Sequence, residues 1–386
     1  MKALFLHDNL MNKHNNYFYS NGLPSNVWTE RYLKVFDQMV VCTRVVEAVE
    51  DCSKTLKLSS ADNVEFDLLS IGVNNISFLS KRKFIEKHIE QAVLKCGYVI
   101  ARLPSIIGQI GLKYAKKHKK PFLIELVGCP WDAYWNHSLK GKVIAPFITW
   151  RTKSAVKTAP YVVYVTNSFL QGRYPTSGKT IGCSNVALTE FDEHVLTKRT
   201  DKIKGMSNRP IIIGTTASVN VRYKGQQYII EAISMLNKQG YNFEYHLVGE
   251  GDNSYLRSVA EKFGVTDKVK YLGPMPHAQV FQYLDNIDIY AQPSRQEGLP
   301  RALIEAMSRG VPSIGSNTAG IPELLEKESI FKNGNIGDIC GILKKMDQKT
   351  MLIQAKINFE KSKEYAKSIL DERRIEFFKE FRDDVK

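Results

Sequence analysis

The sequence predicts an α/β protein built from two doubly wound, parallel-sheet domains. Three observations carry that prediction. Apolar, β-branched runs alternate with helix-length stretches in both halves of the chain. The runs are short and nearly continuous, as strands covered on both faces should be. A charged segment, KRTDKIKGMSNRP (198–210), contains Gly205 and Pro210, separates the halves, and leads directly into a new strand.

In the first half, strands are expected at 2–7, 38–42, 99–101, 122–127 and 161–165, with helices between, for example at 81–94 and 106–117. In the second half, strands are expected at 211–217, 244–248, 269–272, 287–291 and 313–316, and helices near 226–238, 254–263 and 277–284. The domains then cover 1–203 and 204–365, and 366–381 reads as a charged amphipathic helix. A chain of 386 residues has ample core for two such domains.

Composition narrows the function classes. The apolar fraction of 43% is that of an ordinary globular protein. No apolar run approaches the roughly 18 residues that cross a bilayer. MKALFLHD is too short an apolar start for a signal peptide and reads as a first strand. Cys42, Cys52, Cys96, Cys129, Cys183 and Cys340 are scattered without a C-x-x-C pair, which favours reduced thiols in a cytosolic protein over disulfides or zinc.

The net charge of +14 is uneven: residues 1–200 hold 27 Lys/Arg against 16 Asp/Glu, and residues 201–386 hold 27 against 24. Most of the excess lies in KYAKKHKKP (113–121) and LKGKVIAPFITWRTKSAVK (139–157). The second piece mixes Phe147, Ile148 and Trp150 with cations, as a surface lying on anionic lipid would. A solvated basic face is the plainer alternative. No recognition motif accompanies the charge, so nucleic acid is not an expected partner.

The stretch QPSRQEGLPRALIEAMSRGVPSIGSNTAGIPELL (292–325) is the richest in chemistry. A buried strand ends at Pro293–Ser294, Glu297–Gly298 turns, Pro300 fits a first helical position, and the helix stops at Gly310. Glu297 therefore precedes the helix and Glu305 lies on its second turn. A helix N-terminus carries unpaired N–H groups and about half a positive charge, which seats phosphate. Carboxylates beside that seat accept hydrogen bonds from hydroxyls, so the arrangement suits a nucleotide sugar. Spacing alone leaves another reading open: Arg301 and Arg309 flank Glu305 at four residues and would make a surface salt-bridge ladder.

The string P-S-x-x-E-G-L-P-x-x-x-x-E-A-M-x-x-G-x-P, followed by G-I-P-E, closely resembles the C-terminal domain of retaining glycosyltransferases of the GT-B fold, family 4, which includes bacterial capsule, lipopolysaccharide and exopolysaccharide transferases. The resemblance runs from about 211 to 330 and is only topological over 1–200. It implies two Rossmann-like domains facing a cleft, with the C-terminal helix (366–386) crossing back to the first. It implies a hexosyl-type transferase that takes a sugar from a nucleoside diphosphate and places it on a lipid-linked glycan acceptor.

By the same resemblance, Glu297 contacts the donor sugar, Glu305 the ribose, and the amides of Gly298 and Leu299 the pyrophosphate. Lys224, in ASVNVRYKGQQ, matches the lysine that pairs with the diphosphate, with Ser218 lining the same loop. Relatives carry an arginine directly after the strand glycine. Thr215 and Thr216 stand there instead, and Arg222 is the nearest candidate to replace it. Gly249 in VGEGDN lines the donor site, and Pro274–Met275 follow Gly273 at the edge that reads the base.

On the acceptor side, Asn21 and Gly22 lie in YSNGLPSN, Arg102 stands near a strand end where many relatives have histidine, and Asp132 and His137 flank Trp135 in ELVGCPWDAYWNH. No metal pattern such as D-x-D occupies a suitable loop, so neither metal nor cofactor is expected. The expected location is cytoplasmic, with peripheral association through 113–157. Two rivals share the fold: a non-catalytic sugar-nucleotide-binding or scaffold protein, and another sugar-phosphate enzyme such as a phosphorylase or epimerase.

Overall fold

A computed structural model of the chain describes every residue except 49, 71–75, 137, 190, 208, 385 and 386, and the backbone alone of 76–80. The chain divides into two compact units: Met1–Trp131 with Ile144–Cys183 and Leu370–Lys386, and Asp132–Val143 with Ser184–Ile369.

The first unit holds β1 (Lys2–His14), β2 (Tyr17–Tyr19), β3 (Gln38–Glu47), β4 (Val64–Phe66), β5 (Tyr98–Leu103), β6 (Phe122–Leu126), β7 (Tyr161–Tyr164) and β8 (Lys179–Gly182). The sheet order is β4-β3-β1-β5-β6-β7-β8, parallel throughout, with β2 antiparallel against the end of β1. Leu4, Phe5, Val99, Ile100, Leu123, Ile124 and Val162 on its central strands are fully buried, as the continuous apolar runs predict. The helix Ile106–Lys117 packs so closely that a β-carbon on Gly111 would stand 2.1 Å from Leu6 Cδ1. Its first turn is capped by Asp8, whose carboxylate accepts from the Ile106 and Ile107 amides at 2.7 and 2.9 Å.

β1 runs well past the expected residue 7. Its register shifts between Leu6 and Leu10, and it then pairs with β3 again before turning through Asn15 (φ 53°) into β2. The C-terminal helix Lys367–Asp383 contributes Phe377, Phe378 and Phe381 to the first unit, with Phe378 stacked on Tyr32 at 5.5 Å. Leu370 onward thus belongs to the first unit.

The second unit holds β9 (Ile211–Thr216), β10 (Phe243–Val248), β11 (Val269–Gly273), β12 (Ile289–Gln292), β13 (Ser313–Ser316) and β14 (Ile330–Phe331), all parallel, in the order β11-β10-β9-β12-β13-β14. Its core joins Ile213, Ile229, Ile233, Leu247, Ile289 and Ile314. The strand order reverses between β9 and β12, the crevice where open α/β sheets bind ligands.

The first unit closes at Cys183 rather than near residue 203. The charged segment that reads as a linker includes the end of a helix, Glu193–Lys204, which is part of the second unit. Arg199 is buried there and donates to the carbonyls of Leu284 and Ile287 at 2.7 and 2.6 Å. A guanidinium with five donors satisfies the carbonyls at the end of the helix His277–Asn286, so its charge signals a helix terminus and not solvent.

Candidate active site at the carboxyl edge of the second sheet

β9 and β12 end side by side at the reversal point, and their carboxyl ends supply the site. After β12 the chain passes Pro293–Ser294, turns at Glu297–Gly298 and enters the helix Arg301–Ser308. Pro300 is the N-cap (φ −72°, ψ 110°), one residue before the first helical position expected for it. No side chain caps this helix, so its first-turn amides stay available to a ligand. The turn is pinned from behind: Ser316 Oγ donates to the Ser294 carbonyl at 2.6 Å, and the Gly320 amide to the Gly298 carbonyl at 2.9 Å.

After β9, a short turn places Lys224 before the helix Gln226–Asn237. Gly225 makes this possible. Its φ is +78°, and a β-carbon there would stand 2.0 Å from the Pro293 carbonyl oxygen. The Arg295 amide donates to the Tyr223 carbonyl at 2.7 Å, which ties the two turns together. That contact brings Lys224 Nζ to 2.8 Å from Glu297 Oε1, with side-chain exposures of 23% and 12%.

Glu297 Oε1 also accepts from Gln292 Nε2 at 3.0 Å. Gln292 Oε1 in turn accepts from Tyr290 Oη at 3.2 Å, and Tyr290 Oη lies 3.1 Å from Thr216 Oγ1. Thr215 Oγ1 donates to the Ala291 carbonyl and accepts from Tyr245 Oη. Burial first, and the nearby Glu305 and Glu297 carboxylates after it, push the Tyr290 phenol upward, so it stays a neutral donor. Thr216, one of the two residues at the position where the resemblance implies an arginine, therefore belongs to a polar network that ends on Glu297. The sequence alone does not single out Tyr290 and Gln292, because a residue inside a buried strand reads as core; the polar side chain of Gln292 there is the available signal.

Arg222 is exposed, and its guanidinium stacks on the Tyr255 ring at 4.2 Å. Among the described residues no ion pair joins it to Glu297. Glu305 lies near His277, with Nε2 at 3.2 Å from Oε1. Among the described residues neither Arg301 nor Arg309 pairs with Glu305, and Arg309 makes a two-pronged bond to Asp285 at 2.7 and 2.8 Å instead. The loops after β9, β10 and β11 close against one another. Gly249 lies so near Ala217 that a β-carbon would meet its carbonyl oxygen at 2.0 Å, and the Gly249 amide donates to Gly273. Ser218 gives its carbonyl to Gln226 Nε2 at 3.2 Å. Pro274 and Met275 follow at the same edge, exposed and half-buried. Glu297, Lys224, Gly298, Leu299 and Glu305 thus gather around one helix start, and Arg222 turns away to the next helix.

The expected acceptor residues are divided between the units, Asn21, Gly22 and Arg102 in the first and Asp132 in the second. Asn21 is exposed and accepts from the Lys57 amide. Gly22 sits against Asn9, where a β-carbon would meet Oδ1 at 2.6 Å. Arg102 is only 8% exposed and faces inward. It bonds Glu125 at 2.8 Å and Tyr32 Oη at 3.1 Å and lies over the Phe5 ring at 5.0 Å. Burial opposes both charges, but each outweighs it for the other: Glu125 is held below the usual carboxylate range and Arg102 above its own. Arg102 is thus part of an internal ion pair instead of an acceptor contact. His7 is half-buried beside them with its Nδ1 closed to solvent, and loss of water around the ring first and Arg102 second push it down to about 3. Asp132 lies in the first turn of the short helix Pro130–Trp135, and its carbonyl accepts from Asn136. His137 lies outside the described residues.

Among the described residues no cluster of three or more His, Cys, Asp or Glu is placed to hold a metal, and no helix is long and apolar enough to cross a membrane.

Two units built on parallel sheets, the second with a lysine–glutamate pair at a helix N-terminus, have the architecture of GT-B glycosyltransferases. Solved structures share that architecture: sucrose-phosphate synthase from Thermosynechococcus elongatus (TM-score 0.67, 13% identity, covering 99% of each chain) and HepE from Anabaena in complex with UDP (TM-score 0.65, 17% identity, 97% and 99%). Residues 199–369 match the family of glycosyl transferases group 1. Protein CapJ from Staphylococcus aureus is 34% identical over 335 residues, covering 86% of this chain and 83% of that protein. The amylovoran biosynthesis glycosyltransferase AmsK from Erwinia amylovora is 33% identical over 157 residues, 38% of each chain. The chain belongs to the group 1 glycosyltransferase family.

Proposed function

We propose that the enzyme moves a sugar from a nucleoside diphosphate sugar to a glycan acceptor in cell-surface polysaccharide biosynthesis, with retention of anomeric configuration. The acceptor is lipid-linked, and transfer takes place at the cytoplasmic face of a membrane. The observation that carries this reading is the 2.8 Å pair of Lys224 and Glu297 beside an uncapped helix start at the sheet reversal.

In this reading the pair is the resting state of the donor site. The diphosphate takes the Lys224 ammonium and the amides of Gly298 and Leu299, and frees Glu297 for the sugar hydroxyls. Glu305 accepts from the ribose. As the bond from the anomeric carbon to the phosphate oxygen breaks, the acceptor oxygen bonds that carbon on the same face. Its proton passes to the departing phosphate. Lys224 and the helix terminus stabilise the charge that builds there, and no metal is required. The relative named for amylovoran biosynthesis and the HepE complex with UDP support the acceptor class and the donor class respectively.

Glu297→Ala is expected to abolish transfer while thermal unfolding stays within a few degrees of wild type. Full transfer activity in that variant would overturn the reading. Thermal-shift screening with UDP-, GDP- and dTDP-sugars identifies the donor, because a ligand that binds only the folded state stabilises it by mass action.

A further inference from the structure

The basic stretch 113–157 is two different surfaces. In its first part four of the five lysines are engaged within the first unit. Lys113 pairs with Glu86 at 2.7 Å, Lys117 with Glu90 at 2.8 Å, Lys116 donates to Thr158, and Lys120 to the carbonyls of Leu94 and Cys96. In its second part nothing is engaged this way. The helix Leu139–Lys157 contains no Asp or Glu, and among the described residues no carboxylate pairs with Lys140, Lys142, Arg151, Lys153 or Lys157.

This helix is also inverted in its apolar pattern. Its inward side is mostly small or hydroxylic, with Gly141, Ala145, Thr149, Thr152 and Ala155, and Val156 near its C-terminus is the buried apolar exception. Four of its large apolar side chains instead point to solvent. Leu139 and Val143 are each 80% exposed, Phe147 is 55% and Trp150 65%. They recur at four, four and three residues, so they form one stripe along the helix. At about 100° per residue, Lys142 and Lys153 flank the stripe on one side and Lys140 and Arg151 on the other. Arg151 lies over the Phe147 ring at 5.7 Å, and the Phe147 and Trp150 rings are 6.2 Å apart. Ile148, grouped with Phe147 and Trp150 from sequence, is half-buried and outside the stripe.

An outward stripe of large apolar side chains is costly in water. Cations on both flanks, with no carboxylate among them, match a surface that is apolar within and negative at its rim. We propose that this face of the helix Leu139–Lys157 docks on an anionic phospholipid bilayer. Leu139, Val143, Phe147 and Trp150 enter the boundary between headgroups and acyl chains, and the flanking lysines and Arg151 meet the phosphates. This deepens the proposed function, since it would hold the enzyme where a lipid-linked acceptor is found; its geometry does not depend on that reading.

The test is co-sedimentation of the full chain with vesicles. Wild type is expected to bind phosphatidylglycerol-containing vesicles, to release in high salt, and to bind phosphatidylcholine vesicles far less. Each near-surface cation should multiply partitioning roughly fivefold. Phe147→Ser with Trp150→Ser, and separately Lys140→Glu with Lys153→Glu, should each lower binding more than about tenfold. Stabilisation of both variants by the donor nucleotide should match wild type, which shows that they fold and keep the donor site. Equal binding to both vesicle types, no binding to either, or unchanged binding by both variants would overturn the proposal. So would a concentration-dependent dimer that the Phe147→Ser/Trp150→Ser change dissociates in the absence of vesicle binding. If vesicles bind as expected but no nucleotide sugar is recognised, the docking surface stands and the functional reading fails.

Discussion

Gln292 Nε2 and Lys224 Nζ converge on the same oxygen of Glu297, at 3.0 and 2.8 Å. The two donors differ in kind. Lys224 stands in a turn at 23% exposure and is free to move to a phosphate. Gln292 is buried at the end of β12 and is itself held by Tyr290, which is held by Thr216. In the proposed function a donor substrate draws Lys224 away, and Gln292 is then the group left to keep Glu297 aimed.

Gln292→Leu should therefore act as the loss of a positioning residue. The buried shape is roughly kept, but the Glu297 carboxylate loses one hydrogen bond, worth about 1.5 kcal/mol at the low end for a charged acceptor. The expected result is a fall in kcat of about tenfold with little change in donor KM, since the diphosphate contacts remain. Lys224→Ala should instead raise donor KM and weaken nucleotide binding. Steady-state kinetics with varied donor checks the split. An equal effect of both changes on KM would show that Gln292 contributes only to binding.

Gly225 sets the distance between the two turns. Gly225→Ala puts a side chain at φ +78° and drives a β-carbon toward the Pro293 carbonyl, 2.0 Å away in the present geometry. The left-handed conformation alone costs about 1–2 kcal/mol, and the clash adds to it. The melting temperature should fall by several degrees, and donor-induced stabilisation should shrink as Lys224 is displaced. Calorimetry with and without nucleotide separates the two effects.

The buried Arg102–Glu125 pair gives a contrasting outcome. Glu125→Gln leaves a guanidinium in a site nearly closed to solvent, and removing one partner of such a pair typically costs about 3–5 kcal/mol. Transfer by the protein that remains folded should be near normal, because both residues face the core. A large loss of transfer at unchanged stability would restore Arg102 to the acceptor side. Chemical denaturation alongside specific activity checks this.

Both parallel sheets were legible in the sequence because buried parallel strands are short, continuous and apolar, as in 211–217 and 122–127. The donor-side cluster was legible for a different reason. Glu297, Gly298, Leu299 and Glu305 are close in sequence, so one strand, turn and helix place them together. Lys224 lies far away in sequence, and it required resemblance to a family. The first unit was harder. Arg102 looks like a strand-end ligand until Tyr32 and Glu125 are seen to enclose it. Arg199 looks like a linker charge until the carbonyls it satisfies are in view. In both cases partners distant in sequence decide whether a charge faces solvent or core, and periodicity does not carry that information.

His7 makes the same buried cluster sensitive to pH. Its Nδ1 is buried without a hydrogen-bond partner, and burial, followed by Arg102, holds the imidazole down at about 3, against 6.5 for the free side chain. The folded state therefore favours neutral His7. A depressed pKa contributes stability that is present above 6.5, because neither state then binds the proton. Between 6.5 and about 3 the unfolded chain takes up a proton that the folded chain refuses, so stability falls with pH at up to about 1.4 kcal/mol per unit. Below about 3 this contribution is gone. His7→Phe removes the titrating group beside Phe5 while keeping an aromatic ring. Urea denaturation at pH 7 and pH 5 should show wild type losing more stability than the variant, by roughly 1–2 kcal/mol. Parallel losses in the two proteins would mean that His7 takes up its proton as easily folded as unfolded, and that Arg102 is not felt at its ring.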